Sequence, residues 1–201
     1  MIRTLEQQEQ DIKKNWFPEH VAKVTEHDGI IILDWRKPGT NMYAVRYVFT
    51  GSSLLITGDI GDAVFGLTWR GTIESFEDVD LGYLMGKLTC CSRERWDFSE
   101  MKASKELKEW REERIEDMDQ DDAYTKEINK INEEVESAIS ESSSTDYFSH
   151  AVFRVYHEVS TQYVDSEDFS MISDFGKELP NVFSAYLLGI KMANKQLKVT
   201  A

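Results

Sequence analysis

The hydrophobic positions change their period along this chain. Between residues 29 and 69 the runs GIIILDW, NMYAVRYVF, SLLIT and DAVFGLTW are short and rich in β-branched and aromatic residues. In the second run Tyr43, Val45, Tyr47 and Phe49 alternate with Met42, Ala44, Arg46 and Val48, the period of two of a strand whose faces meet different surroundings. Nine of the eleven glycines lie between Gly29 and Gly86, and turns are expected at KPGTN, TGSS and TGDIGD. Those connections are too short for parallel crossovers, so the pattern predicts an antiparallel meander of about four strands.

Helical periods flank this block. Thr4 and Gln7 have the spacing of a capping box. Pro18 is placed to start a short helix through about Glu26, with Val21 and Val24 on its buried side, and the chain reads as largely helical after Phe76. From Ser99 to about Asp117, Ala103, Leu107, Trp110 and Met118 recur at three-to-four spacing with Ile115 beside them, and a second stripe at Ile128, Ile131, Val135, Ala138 and Ile139 marks a helix over 125–139. The turn EDMDQDDAY between them suggests a helical hairpin. DYFSHAVFRVYHEVSTQYV is apolar around much of its circumference and is expected against the main core. NVFSAYLLGIKMANKQL forms a final helix capped by Asn181. The fold class that follows is α+β: one mixed domain over 1–201, an antiparallel sheet surrounded by helices, with an acidic helical hairpin protruding at 99–139.

Charge sharpens this picture. The 201 residues carry 23 basic and 37 acidic side chains, a formal net charge of -14. Residues 1–72 hold 8 basic and 9 acidic residues, 146–201 hold 5 and 7, and 73–145 hold 10 and 21, so the middle stretch supplies -11. Such a field attracts a basic protein groove and repels phosphates. The candidate partner-binding residues are Glu109, Glu112, Glu113, Glu116, Asp117, Asp119, Asp121 and Asp122, interrupted by Lys102, Lys105, Lys108, Arg111 and Arg114. Direct binding of nucleic acid is not expected. Nor is a membrane span, because no segment approaches about 20 consecutive apolar residues. The opening MIRTLEQQEQDIKKNW has no apolar run of signal-peptide length, which leads to the expectation of a cytoplasmic protein.

The chemical candidates are weaker. Cys90 and Cys91 are adjacent, which excludes a staple between distant elements and reads as two small apolar residues in a reducing compartment. His20 with His27 and His150 with His157 are each seven residues apart, too far for ordinary joint chelation on one helix. The series Asp117, Asp119, Asp121 starts like a calcium loop but has Asp122 where the tight-turn glycine belongs and Ile128 where the bidentate glutamate belongs. Asp59 and Asp62 in TGDIGD, joined by Asp34 from the first strand, form the one alternative metal set, suited to phosphoryl transfer. Asp in such a turn more commonly bonds nearby backbone amides. No Ser-His-Asp or Cys-His set is assignable, and no cofactor and no catalytic residue is expected.

The combination NMYAVRYVFTGSSLLITGDIGDAVFGLTWRGTIESF, RERWDFSE and VFSAYLLGIKMANKQL resembles a little-characterised family of accessory proteins in phages and prophages of Gram-positive bacteria, over about residues 30–198. The family's SGDxGD-like turn stands here as TGDIGD. The resemblance implies a phage protein of the host cell cytoplasm, and together with the charge it leads to an anti-defence inhibitor, of the anti-CRISPR kind, whose acidic helices engage a basic nuclease or effector. A small metal-dependent enzyme of phage nucleic-acid metabolism and a structural or assembly protein that self-associates are the alternatives.

Overall fold

The computed structural model describes residues 4–116, 122–159 and 161–200. It is an α+β chain, and it divides into two compact units: a sheet unit built from residues 4–95 and the C-terminal helix, and a helical unit spanning Trp96–Leu179. No helix among the described residues is long and apolar enough to cross a membrane.

The sheet unit opens with helix α1 (Leu5–Asp11), which starts at the expected capping box: the Thr4 side chain accepts from Gln7 N, and the Gln7 side chain accepts from Thr4 N. A π-helical turn over Ile12–Trp16 follows. Six strands then run in sequence order as an antiparallel meander: β1 (Val21–His27), β2 (Ile30–Arg36), β3 (Val45–Thr50), β4 (Ser53–Gly58), β5 (Ala63–Gly66) and β6 (Leu88–Cys91). The sheet is thus larger than the four strands expected. The segment Pro18–Glu26 is not a helix; from Val21 it is an edge strand paired with β2 from Val21↔Arg36 to His27↔Ile30. Its β-branched Val21, Val24 and Thr25 fit a pleated surface, and Asp28 and Gly29, both at positive φ (48° and 80°), supply the two-residue hairpin turn that matches strand twist. The region after Phe76 likewise adds one more strand to this sheet, β6, after the short helix α2 (Leu81–Gly86).

One face of the meander supplies the core. Leu33, Trp35, Val45, Tyr47, Phe49, Leu54, Ile56, Ala63 and Phe65 are buried, and helix α7 (Asn181–Thr200) lies on this face. The Tyr47 hydroxyl donates to the Tyr186 carbonyl at 3.0 Å, and burial holds that hydroxyl's pKa well above its ordinary value. The approach requires Gly189: a Cβ there would lie 2.2 Å from the Tyr47 hydroxyl and 3.3 Å from Trp35. Both rings are buried, so moving either one disturbs the surrounding core. Gly189→Ala therefore combines overpacking of about 1–3 kcal/mol with loss of a hydrogen bond worth about 1 kcal/mol. Against these stands about 1 kcal/mol of gained helix propensity. The expected net destabilisation is about 2 kcal/mol, read as a lower urea midpoint at unchanged m-value.

The helical unit contains α3 (Glu100–Glu116), α4 (Asp122–Glu141), α5 (Thr145–Glu158) and α6 (Ser166–Ile172), with a two-stranded ribbon of β7 (Asp97–Phe98) and β8 (Lys177–Glu178). Helices α3 and α4 form where the apolar stripes place them, but they are not bare. Ala103, Leu107 and Trp110 of α3 and Ile128, Ile131 and Val135 of α4 share one buried cluster with Phe148, Val152 and Val155 of α5 and Phe169 and Ile172 of α6. Helix α5 thus packs in this helical core, not with the sheet as its apolar circumference suggested. The reason is that its buried residues 148, 151, 152 and 155 occupy a single stripe, leaving Tyr147 and Phe153 exposed. Two carboxylates hold the C-terminal half of the unit. Glu127 accepts from the amides of Gln162, Tyr163 and Val164 at 2.9–3.1 Å, and buried Asp168 accepts from Arg114.

Candidate functional site

The charge divides along the same line as the fold. Residues 96–179 carry nine basic and 23 acidic side chains, so the helical unit accounts for the whole of the -14, and the remainder of the chain has fourteen of each. On α3 the buried stripe of Ala103, Leu107 and Trp110 turns the opposite face outward, where Lys105 and Lys108 precede Glu109, Glu112, Glu113 and Glu116. Glu109 pairs with Lys105 at 3.4 Å and Glu112 with Lys108 at 3.7 Å, both exposed. Glu113, Glu116 and Asp122 are also exposed. Asp117, Asp119 and Asp121 lie outside the described residues.

The order of these charges runs against helix electrostatics. Carboxylates are favourable near a helix N-terminus and unfavourable near its C-terminus, where the backbone dipole is already negative. Glu preceding Lys by four residues also stabilises more than the reverse order. Helix α3 has the less favourable order three times, in Lys102–Glu106, Lys105–Glu109 and Lys108–Glu112, and gathers Glu112, Glu113 and Glu116 in its last turns, while Glu100 in its first turn and Arg114 in its last are placed favourably.

The three candidate metal carboxylates are not brought together as one set. Asp34 is on the sheet face opposite Trp35 and forms a two-point ion pair with its cross-strand neighbour Arg46, at 2.7 and 3.2 Å. Asp59 accepts from the Tyr43 amide at 2.8 Å, tying the β4–β5 turn to the residues before β3. Asp34 and Asp59 share the wall of a shallow cavity of about 400 Å³ with Arg36 and Arg46, while Asp62 is not part of it. Asp62 instead has its amide bonded to Ser92 Oγ at 2.8 Å. No group of three or more His, Cys, Asp or Glu placed to hold a metal ion occurs among the described residues. Cys90 and Cys91 are free thiols on β6.

A second feature, which sequence reasoning missed, lies in the sheet unit. A cavity of about 840 Å³, the size of a small-molecule site, runs along α7 beside α1. Its apolar lining includes Leu5, Phe17, Trp35, Leu187, Leu188 and Met192. Three of its lining side chains carry a polar atom that is buried and without a hydrogen-bond partner: His20 Nδ1, Trp35 Nε1 and Ser184 Oγ. Native proteins leave few such groups, so three around one cavity is a concentration. Its charged lining is Glu9 and Lys13, paired at 3.2 Å, Asp80, which caps α2 through the Tyr83 amide, and Lys191 and Lys195 one turn apart on α7.

His20 lines this cavity, its ring tilted against Phe17 and Trp35 at ring-centroid distances of 4.9 and 5.5 Å. Its Nε2 lies 3.1 Å from the Tyr43 carbonyl. A carbonyl only accepts, so in the neutral ring Nε2 carries the proton and Nδ1 presents a lone pair. Burial lowers the pKa below its ordinary 6.5, outweighing the Tyr43 contact that raises it. The unfolded chain therefore binds this proton at a higher pH than the folded one, and the contribution to stability is complete above 6.5 and falls away as pH drops below it. His20→Gln is expected to remove that part of the acid sensitivity, seen by comparing urea midpoints of variant and wild type across the pH range.

Comparison of the chain with protein-family models, curated proteins and solved structures returns no match.

Proposed function

We propose that this chain is a non-catalytic binding protein whose acidic helical unit engages a basic protein surface, as a phage-encoded anti-defence inhibitor, of the anti-CRISPR kind, acting on a bacterial nuclease complex in the host cytoplasm. The acidic hairpin of α3 and α4 is its presenting surface. The observation that carries this reading is that the whole formal charge of -14 belongs to the helical unit, with Glu112, Glu113 and Glu116 exposed together in the last turns of α3. Charge that merely kept the chain soluble would serve equally well spread over both units, and carboxylates in the last turns do not stabilise a helix. A polyanionic surface of this kind competes with phosphates for the nucleic-acid channel of a nuclease and speeds encounter with it. The phage setting rests on the resemblance of residues 30–198.

Affinity purification from a Gram-positive host, with nuclease treatment to remove contacts bridged by nucleic acid, tests the proposal. The expected result is one basic nuclease or effector recovered in constant ratio, released by raised salt, and inhibited by the purified chain in a cleavage assay. Recovery of virion components, or of self-associated chain alone, would redirect the assignment to assembly.

A further inference from the structure

The cavity along α7 has no part in the reading above, and its composition is specific enough to name a ligand class. The lining side chains on α7 run from Ser184 to Val199, fifteen residues apart, so the groove follows the helix for about 22 Å. That length and its apolar wall suit an extended alkyl chain better than a compact ring. Its charges are not balanced. The Glu9–Lys13 pair is self-contained and Asp80 is held by the Tyr83 amide, which leaves Lys191 and Lys195 as the lining cations for which no ion pair is formed among the described residues. Helix α7 itself carries no acidic residue to answer them.

Two residues of the wall, Trp35 and Ser184, also hold a buried polar atom without a hydrogen-bond partner. Both residues are about nineteen-twentieths buried or more, at 2% and 5% exposure. The two lining cations call for a ligand that carries negative charge.

We propose that this cavity is a binding site for a long-chain amphipathic carboxylate, with the alkyl chain on the wall formed by Phe17, Trp35, Leu187 and Leu188 and the carboxylate at Lys191 and Lys195. The free acid and the acyl chain of a membrane lipid share this chemistry, and the groove, enclosed by α1 and α7 of one unit, takes the free acid.

Titration of the full chain with sodium dodecanoate below its micellar concentration tests this, followed by calorimetry and by tryptophan emission. The expected result is saturable one-to-one binding, with dodecanol at least tenfold weaker because it lacks the charge. Lys191→Glu combined with Lys195→Glu, the first at a half-buried and the second at an exposed site, is expected to weaken dodecanoate at least tenfold, to leave dodecanol unchanged, and to leave the thermal melt intact. Absence of saturable binding overturns the proposal, as does equal affinity for dodecanol or an unaffected double variant. So does co-sedimentation with phosphatidylcholine–phosphatidylglycerol vesicles in place of binding to monomeric dodecanoate. None of these outcomes depends on the acidic unit, so each proposal stands or falls separately.

Discussion

Gly58→Ala is expected to destabilise the sheet unit by about 4 kcal/mol, the largest effect of any single substitution argued from this structure. Gly58 ends β4 at φ 151°, a backbone conformation open in practice only to glycine, and a Cβ there would lie 2.2 Å from the Ala44 carbonyl oxygen. Strain of that kind costs about 1–3 kcal/mol. The clash is with backbone, which no rotamer change relieves, and displacing it costs about 1–3 kcal/mol more. The same movement loosens two hydrogen bonds that pin the turn, Asp59 N to Ala44 O at 2.9 Å and Tyr43 N to the Asp59 carboxylate at 2.8 Å, each worth about 1 kcal/mol. With total stability of about 5–15 kcal/mol for an ordinary domain, the variant would be marginal at best. Chemical denaturation followed by circular dichroism checks this, and a midpoint matching wild type would show that the TGDIGD turn does not have the role assigned to it. Most of that motif is thereby explained as structure.

The second large effect is on binding. Glu113→Lys with Glu116→Lys reverses two exposed charges in the last turns of α3. Because cations are favoured at a helix C-terminus, the variant should be as stable as wild type or more so, by about 0.3–1 kcal/mol. Its affinity for a basic partner should fall about 100-fold, since close charge pairs across an interface couple by about 1.5 kcal/mol or more each. The two readouts move in opposite directions only if the carboxylates serve recognition. A variant that melts lower and binds normally would mean that they serve the fold.

Strands β2 to β5 were legible because their two-residue period and Gly- or Asp-bearing turns are local signals. β1 was not, because Pro18 and the spacing of Val21 and Val24 also satisfy a helix start; the deciding signal was the Asp28–Gly29 pair next to Ile30, a hairpin turn flanked by apolar residues. β6 is four residues, LTCC, directly after a helix, and only its pairing with β5 makes it a strand. Helices α3 and α4 followed from their stripes, but a stripe says what a helix buries and not against what, so the partner of α5 was invisible. Along the sequence most of the acidic excess, -11, lies in residues 73–145, and the structural boundary at Trp96 gathers all of it into one unit. The cavity had the least sequence signal. His20, Trp35 and Ser184 are distant along the chain and meet only because the sheet and α7 pack together, and the one local trace is that Ser184, Leu187, Leu188, Lys191 and Lys195 share a helical face.

The claim that the helical unit is the recognition surface is tested most directly by carboxyl footprinting of the recovered complex, in which carbodiimide labelling of each Asp and Glu is compared with and without partner. The account predicts protection of Glu109, Glu112, Glu113, Glu116 and Asp122, with Asp28 and Glu26 on the sheet unit labelled equally in both states. Protection confined to carboxylates of the sheet unit, with the α3 and α4 carboxylates fully labelled in the complex, would contradict it.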